Sequence, residues 1–275
     1  MNRFFEDKEV AINYLKHRPH YSAEIAEAII NYLAEHKAKP FQMALDVGCG
    51  TGQLTRSLAP YFDEVLGVDV SSAQIDVAKT AQNQKNISFS VGRAEDLPTP
   101  DSSVDLITSA TASHYFDWTE FRKEVNRVLK PNGCLAVLAF DIIYIDHPDD
   151  VIMKKLNDCI DSYLDYTNNR DLKASTPVGY QHMKEKYTTL QLPFADQKRV
   201  DIDIRYNGSV TEFIECYKTY AAAINFMKDN PGTSYFMDFQ MSIMSILGGG
   251  DPDVTMVTSW MPIFIRFARK PGTNL

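Results

Sequence analysis

The chain has 275 residues, of which 44% are hydrophobic and 23% charged, and its formal net charge is −8. This composition is typical of a globular protein and excludes disorder of the whole chain. The acidic balance argues against nucleic acid as a partner, because a nucleic-acid surface needs clustered positive charge.

The cysteines and the N-terminal segment bear on the cellular setting. Cys49, Cys134, Cys159 and Cys216 form no CxxC pair, so a zinc knuckle or a thioredoxin-type site is not expected. No apolar run approaches the roughly 20 residues that cross a bilayer. The charged N-terminal segment also lacks the apolar region of a secretory signal. We therefore expect a cytoplasmic protein with no membrane partner and no metal site.

The first predicted element is a helix that begins near Ser22, a candidate N-cap. Apolar residues recur there at helical spacing, and they are Ile25, Ala28, Ile29, Tyr32 and Leu33. This spacing predicts an amphipathic helix with one side packed against a core.

Five short apolar runs follow, and each is bounded by turn residues or by a helical segment. They cover residues 41–48, 64–70, 87–91, 103–110 and 133–140. Strands that alternate with helices at this spacing predict βαβ units. The fold class is therefore α/β, with a parallel sheet and helices on both faces.

Two helices between these strands carry recognisable start signals. Ser71 with Gln74 forms a capping box, and Asp117 with Glu120 opens a second helix. The Pro-Asn-Gly sequence at residues 131–133 then predicts a turn that ends the second helix before the next strand.

The alternation breaks after Phe140, where residues 148–190 are charged, rich in tyrosine and predicted to be helical. Residues 200–206 alternate apolar with polar, as a half-exposed strand does. Ser209 with Glu212 caps a helix with an apolar side that extends to residue 224. A glycine-rich loop at 248–252 precedes a last strand at 261–270.

We predict a single domain over residues 1–275, with its core at about 40–141. In this interpretation residues 1–39, about 148–190 and about 209–248 cover the cofactor and the substrate.

The most informative motif is ALDVGCGTGQLT at residues 44–55, where a strand ends at Asp46 and Gly48, Gly50 and Gly52 form the turn. Glycine lets the backbone adopt unusual dihedral angles and approach a ligand closely. A dinucleotide fingerprint has a third glycine where Gln53 stands, so a pyrophosphate cradle is not favoured. The alternative is a purely structural corner between strand and helix.

Acidic residues follow the next two strands. Asp69 ends the second strand, 17 positions after Gly52, and a carboxylate there can accept both hydroxyls of a ribose. After the third strand, Ala94 and Glu95 can lie beside an adenine ring. The alternatives are a helix-capping aspartate and an ordinary acidic loop.

Together, five segments resemble the class I S-adenosylmethionine (SAM)-dependent methyltransferases. They are LDVGCGTG, GVDVS, GRAEDLP, SVDLITSATASHYFD and VLKPNGCLAV, within residues 40–141. YLKHRPHY and HYFD further resemble the small-molecule branch that includes trans-aconitate methyltransferases. The chain departs from that branch at Tyr115, where tryptophan is usual, and at residues 218–221, where the branch often has Ser-Trp-Ser.

The resemblance implies a Rossmann-like sheet of seven strands with an antiparallel last strand. It also implies SAM as the cofactor, S-adenosylhomocysteine as the product and a small molecule as the methyl acceptor. The implied cofactor residues are Tyr14, Arg18, Asp46, Gly48, Gly50, Gly52, Asp69, Val70, Ala94, Glu95 and Ala110. Among these, Tyr14 and Arg18 are expected to close over the cofactor, and the planar fork of Arg18 suits a carboxylate.

The expected reaction is an in-line displacement at the methyl carbon, in which the protein chiefly aligns donor and acceptor. His114 is the candidate catalytic residue, either as a base or as a group that orients the acceptor. The alternative is a histidine that only packs on the cofactor. A hydroxyl acceptor needs a base, and a carboxylate acceptor does not.

We predict that aromatic residues line the acceptor pocket, and the candidates are Tyr144, Tyr217, Tyr220 and Trp260. The alternative is that these side chains only pack in the core. Arg205 and Arg266 are left unassigned. The segment after the fourth strand lacks the [DN]PP[YF] motif and the cysteine of DNA methyltransferases. A non-catalytic SAM-binding regulator, an NAD-dependent oxidoreductase and an aminopropyl transferase stay open as alternatives, as does the oligomeric state.

Overall fold

The computed structural model describes residues 5–19, 21–140, 142–171 and 177–272. His20 of the YLKHRPHY motif, and the parts of the predicted cover at 1–4 and 172–176, lie outside the described residues.

The described residues form eight strands in one sheet. They are β1 (Phe41–Val47), β2 (Phe62–Asp69), β3 (Ile87–Val91), β4 (Val104–Ala110), β5 (Leu129–Phe140), β6 (Tyr144–Asp146), β7 (Asp196–Ser209) and β8 (Met256–Arg269). The first five coincide with the predicted apolar runs within a few residues at each end.

Ten α-helices connect and cover these strands within the described ranges. They are α1 (Lys8–His17), α2 (Ala23–Ala34), α3 (Gln53–Leu58), α4 (Ser72–Thr80), α5 (Trp118–Val128), α6 (Asp150–Asp171), α7 (Pro177–Lys184), α8 (Val210–Lys218), α9 (Ala221–Asp229) and α10 (Tyr235–Ile246).

The sheet has the strand order β3-β2-β1-β4-β5-β8-β6, and β7 also pairs with β8. Strands β1 to β5 are mutually parallel, and β8 runs antiparallel to each of its partners. This confirms the predicted α/β fold with an antiparallel last strand. The order reverses at β1, and such a switch point is where open α/β sheets bind ligands.

The sheet has one strand segment more than the predicted seven, and β6 accounts for it. β7 pairs with β8 along its whole length, while β5 pairs with residues 263–269 of β8 and β6 with residues 258–260. Because each strand has two edges, β5 and β6 lie in line on the other edge of β8. The eight segments therefore occupy seven rows.

The core lies on both faces of the sheet. In β5, Cys134, Ala136 and Leu138 belong to one buried cluster, whereas Leu135, Val137 and Ala139 belong to the other. This period of two is what a strand with helices on both faces requires.

Local start and stop signals were confirmed in part. Ser22 is the N-cap residue of α2, as predicted, although its hydroxyl makes no capping hydrogen bond. Ser71 accepts a hydrogen bond from the Gln74 N–H, but the Gln74 side chain does not return one, because it lines a cavity instead. The turn predicted at residues 131–133 is present as an irregularity inside β5: the register shifts between the Val104–Leu129 and Leu106–Cys134 pairs, and Asn132 there has a φ of +62°.

The helix predicted from Ser209 is shorter than its apolar pattern indicates. Ser209 and Glu212 form the complete capping box, but α8 ends at Lys218 and α9 starts at Ala221. The break at Thr219 and Tyr220 brings the Tyr220 ring to the cavity described next.

Candidate active site

A cavity of about 930 Å³ opens at the carboxyl ends of β1, β2 and β4. Its volume is in the upper part of the range of about 300–1,000 Å³ that is usual for small-molecule sites. The predicted residues in its wall are Tyr14, Arg18, Asp46, Gly48, Gly50, Asp69, Val70, Ala94, Glu95, Ala110 and His114. Gly52 is not in the wall, and its backbone opens α3 with a φ of +87°.

The glycine loop follows β1 and lies close to other segments of the same chain. Gly48 has a φ of +68°, and a Cβ atom built on it would lie 2.4 Å from Cβ of Ala112. Gly50 has a φ of +56°, and a Cβ atom there would lie 3.7 Å or more from its neighbours. A side chain at Gly48 is therefore excluded by packing, whereas at Gly50 it would project toward the cavity.

Asp46 lies under this loop, and its carboxylate is engaged within the protein. It accepts hydrogen bonds from the hydroxyls of Thr55, at 2.6 Å, and Thr108, at 2.8 Å. Burial raises the pKa of Asp46 to about 6, although both hydroxyls lower it. Asp46 therefore joins β1, α3 and β4 at the cavity wall.

Asp69 joins the ends of β1 and β2. One carboxylate oxygen accepts from the Gly50 N–H and the other from the Ser71 N–H, each at 2.9 Å. Burial raises the pKa of Asp69, although these two hydrogen bonds lower it. Each carboxylate oxygen has two lone pairs, so capacity for ligand hydroxyls remains.

The loop after β3 supplies Ala94 and Glu95. Ala94 is buried, and Glu95 accepts from the Asp117 N–H at 3.0 Å and pairs with Arg93. Val70, on the loop after β2, lies at the rim and is 40% exposed.

Arg18 follows α1 directly and is held among aromatic rings. Its guanidinium carbon lies 4.3 Å from the ring centroid of Tyr220, 5.0 Å from that of Tyr14 and 5.4 Å from that of Phe140. Its only hydrogen bond among the described residues runs from Nη2 to the Thr219 carbonyl, at 3.3 Å. The buried Nε has no partner there, so a charged donor is left for a ligand.

His114 lies in a 3₁₀ turn after β4 (Ser113–Tyr115) and is 6% exposed. Its Nδ1 lies 3.2 Å from the hydroxyl of Tyr187. Burial lowers the pKa of His114 to about 3 and raises that of Tyr187. Both side chains are therefore neutral at pH 7. Tyr187 carries no motif in the sequence and was not predicted.

The remaining wall is mostly apolar. Its members include Tyr21, Phe140, Ile142, Leu164, Met183, Tyr217, Tyr220 and Met261. Tyr217 and Tyr220 were predicted there. Tyr144 and Trp260 were predicted as well, but their rings stack on each other, with centroids 5.8 Å apart, and are not among the lining residues.

Neither unassigned arginine lies in the wall. Arg205 pairs with Asp146, and Arg266 donates to the carbonyls of Tyr187 and Thr188. No group of three or more histidine, cysteine or acidic side chains suited to a metal ion is found among the described residues.

Several buried polar atoms in the wall have no hydrogen-bond partner among the described residues. They include Arg18 Nε, Gln53 Nε2, Gln74 Oε1 and Tyr220 Oη. Buried polar atoms are normally paired, so such a group points to a polar ligand. The sequence indicated Gln53 and Gln74 only as a loop residue and a capping residue. That they line a cavity could not be predicted, because it depends on how the sheet brings their loops together.

Comparison with known proteins gives the reaction class. A methyltransferase-domain family matches residues 45–137. A methyltransferase of Dictyostelium discoideum is 24% identical over 97% of this chain and 96% of its own length. A solved structure of a type II methyltransferase from Anaeromyxobacter dehalogenans is 26% identical to this chain and has a TM-score of 0.70. The match covers 92% of this chain and 99% of that protein.

The chain is a SAM-dependent methyltransferase, and its fold is that of the class I methyltransferases. The comparisons do not favour the oxidoreductase or the non-catalytic regulator. A further relative is the malonyl-[acyl-carrier protein] O-methyltransferase of Bacteroides thetaiotaomicron, 27% identical over 72% of this chain and 74% of its own length.

SAM is the cofactor of this methyltransferase, and the unpartnered polar atoms together with the open face of Gly50 fit a polar, charged nucleoside. Among the described residues, no helix combines the length and apolarity needed to span a bilayer.

Proposed function

We propose that this methyltransferase transfers the methyl group of SAM to a carboxylate of a small-molecule acceptor and forms a methyl ester. The observation that carries the proposal is the state of His114. Its ring is buried, its Nδ1 is paired with Tyr187 and its pKa is lowered to about 3. It is therefore a weak base, and a carboxylate is the acceptor that needs no base.

Two of the acidic side chains in the wall, Asp46 and Asp69, support the same interpretation. Both oxygens of Asp46 and both oxygens of Asp69 already accept hydrogen bonds within the protein. The wall tyrosines Tyr21 and Tyr220 have pKa values raised by burial, so they remain protonated at pH 7. A hydroxyl or ammonium acceptor would find little help in losing its proton.

The relative from Bacteroides thetaiotaomicron supports an oxygen acceptor. Its name gives O-methylation of malonyl-acyl-carrier protein, and a malonyl thioester carries a free carboxylate. The apolar wall formed by Phe140, Leu164 and Met261 suits an acceptor whose carboxylate is joined to an apolar body.

We assign the cofactor contacts to the residues expected from the sequence. Arg18 would pair with the methionine carboxylate, since its buried Nε lacks a partner. Asp69 would accept the ribose hydroxyls, and Ala94 with Glu95 would flank the adenine. Gly48 and Gly50, with Ala110 beneath, would lie along the methionine and ribose.

When bound, SAM would supply an activated methyl group on a sulfonium centre. The acceptor oxygen would form its bond to that carbon as the carbon–sulfur bond breaks, the electron pair would stay on sulfur to give S-adenosylhomocysteine, and no proton would have to move. The protein therefore holds donor and acceptor in line and excludes water. Such alignment is worth up to about 7–11 kcal/mol.

The test is transfer of a labelled methyl group from SAM into a deproteinised cell extract, followed by mild base. We expect the label to become volatile methanol, which a methyl ester releases on hydrolysis. Matched pairs of a carboxylic acid and its primary amide then serve as defined acceptors, and only the acid should react. Label that stays non-volatile, or equal transfer to the amide, would overturn the carboxylate assignment.

A further inference from the structure

Tyr187 is not among the lining residues of the cavity but contacts His114, which is, and it has a backbone conformation that is unusual for its residue type. Lys186 has a φ of +51° and Tyr187 a φ of +57°, a region that non-glycine residues seldom adopt. Such strain persists only where the surroundings impose it, and it occurs often at functional sites.

Two arginines impose this conformation. Arg266 donates to the carbonyls of Tyr187 and Thr188, and Arg199 donates to the carbonyl of Lys186 at 2.7 Å. The Tyr187 ring packs edge-on against Phe264, with centroids 5.3 Å apart. The phenol is thus fixed from several directions before it meets His114.

The hydroxyl of Tyr187 lies at hydrogen-bond distance from Nδ1 of His114, and the hydroxyl of Ser113 and the backbone N–H of His114 approach the same phenol oxygen as donors. Tyr187 is fully buried. If Nδ1 carried the imidazole proton, it would be one more donor toward that oxygen, and the phenol proton would be left with the Ser113 hydroxyl, which accepts no hydrogen bond from the described residues. If Nδ1 is unprotonated, the phenol donates to it and the phenol proton is paired.

We propose that Tyr187 is a positioning residue that donates to Nδ1 and thereby holds His114 as the Nε2–H tautomer, so that His114 offers a hydrogen-bond donor to the acceptor. Nε2 has no partner among the described residues, and His114 lines the cavity. Its N–H binds one oxygen of the acceptor carboxylate and leaves the other oxygen to attack the methyl carbon. This last step rests on the proposed function, whereas the tautomer does not.

The tautomer is measured directly by nitrogen NMR of the full-length protein labelled with ¹⁵N-histidine. The chain has six histidines, and the His114 signals are those missing from His114→Gln. We expect the resonance of an unprotonated nitrogen for Nδ1 and a proton bonded to Nε2. The opposite assignment, or an equal mixture of tautomers, would overturn the proposal.

Tyr187→Phe tests the cause of the tautomer. Without the hydroxyl, we expect the Nδ1–H form of His114 to become substantially populated. Tyr32→Phe is the matched control, because Tyr32 is also buried and its hydroxyl contacts Asp196 outside the cavity. An unchanged His114 spectrum in Tyr187→Phe would contradict the positioning role. If that variant does not fold, the wild-type spectrum still decides the tautomer.

Kinetics separate a donor from a base. His114→Gln keeps an N–H near the position of Nε2, whereas His114→Asn has a shorter side chain. We expect the acceptor KM to rise more than tenfold in His114→Asn and less in His114→Gln, with smaller changes in kcat. A loss confined to kcat and equal in both variants would indicate a base. Because the NMR result does not depend on the acceptor, failure of the carboxylate assay leaves the tautomer test intact.

Discussion

The carboxylate of Asp69 accepts a hydrogen bond of 2.9 Å from the backbone N–H of Gly50, and so fixes the end of β2 against the glycine loop after β1. The same carboxylate is the proposed partner of the ribose. One side chain therefore shapes the loop and contacts the ligand. A substitution at this position should affect both stability and binding.

We expect Asp69→Asn to weaken S-adenosylhomocysteine binding by about 10–100-fold, since hydrogen bonds to a charged group are worth about 1.5–3 kcal/mol. The new amide would also direct an N–H₂ group at the N–H of Gly50 or Ser71. Isothermal titration calorimetry measures the affinity, and Asp63→Asn, on the exposed start of β2, is the control. Equal affinities in wild type and Asp69→Asn would refute the ribose assignment.

We expect Gly48→Ala to destabilise the fold more than Gly249→Ala. Both positions have a positive φ, but the new Cβ at Gly48 would meet Ala112 at 2.4 Å, while at Gly249 nothing lies within 4 Å. The shared backbone effect is about 1–2 kcal/mol, and overpacking adds about 1–3 kcal/mol at Gly48 alone. Urea unfolding measures the free energies, and equal losses would show that the close contact is relieved by small shifts.

Arg18→Lys keeps the positive charge but loses the planar fork and its stacking on the aromatic rings. We expect S-adenosylhomocysteine to bind about tenfold or more weakly, and Arg18→Met to bind it more weakly still. Arg205→Lys is the matched control, because Arg205 forms a surface ion pair with Asp146 that is worth about 0–1 kcal/mol. Undiminished binding in Arg18→Met would remove Arg18 from the cofactor site.

Stability should depend on pH through His114. Its pKa is lowered to about 3 in the folded state, whereas an unfolded histidine titrates near pH 6.5. As the pH falls below about 6.5, the unfolded chain binds a proton that the folded chain does not, so stability decreases. This single group should contribute a loss of about 1.4 kcal/mol per pH unit between pH 6 and 4.

Asp46 acts in the opposite direction over the same range, because its pKa is raised to about 6 and protonation favours the folded state. The wild-type curve alone is therefore ambiguous. The difference in unfolding free energy between wild type and His114→Gln cancels Asp46 and isolates His114. A difference that stays constant from pH 7 to 4 would contradict the lowered pKa.

Local signals were sufficient for the central sheet. The apolar runs of β1 to β5, the capping Asp117 and the glycines at φ > 0 each carry their information within a few residues, and they appear in the structure where they were expected. The predicted wall residues likewise gather at one edge, because parallel strands end on the same side.

The other features depend on contacts distant in sequence. Tyr187 meets His114 across 73 positions, and no spacing rule links them. The break of the helix at Tyr220 and the pairing of Tyr144 with Trp260 are likewise decided by packing between distant elements. An aromatic residue at helical spacing does not by itself indicate whether it faces a core or a cavity.

The two parts of the cavity wall come from different stretches of the chain. Apart from the segment before β1, the proposed cofactor contacts lie between Asp46 and Glu95, or at Ala110, whereas much of the apolar wall lies from Phe140 onward. Under the proposed assignment, changes after Phe140 would alter which acceptor fits while the glycine loop and Asp69 stay as they are. Such a division allows duplicated copies of one gene to diverge in substrate range, and it marks residues 142–261 as the place to begin engineering a new acceptor.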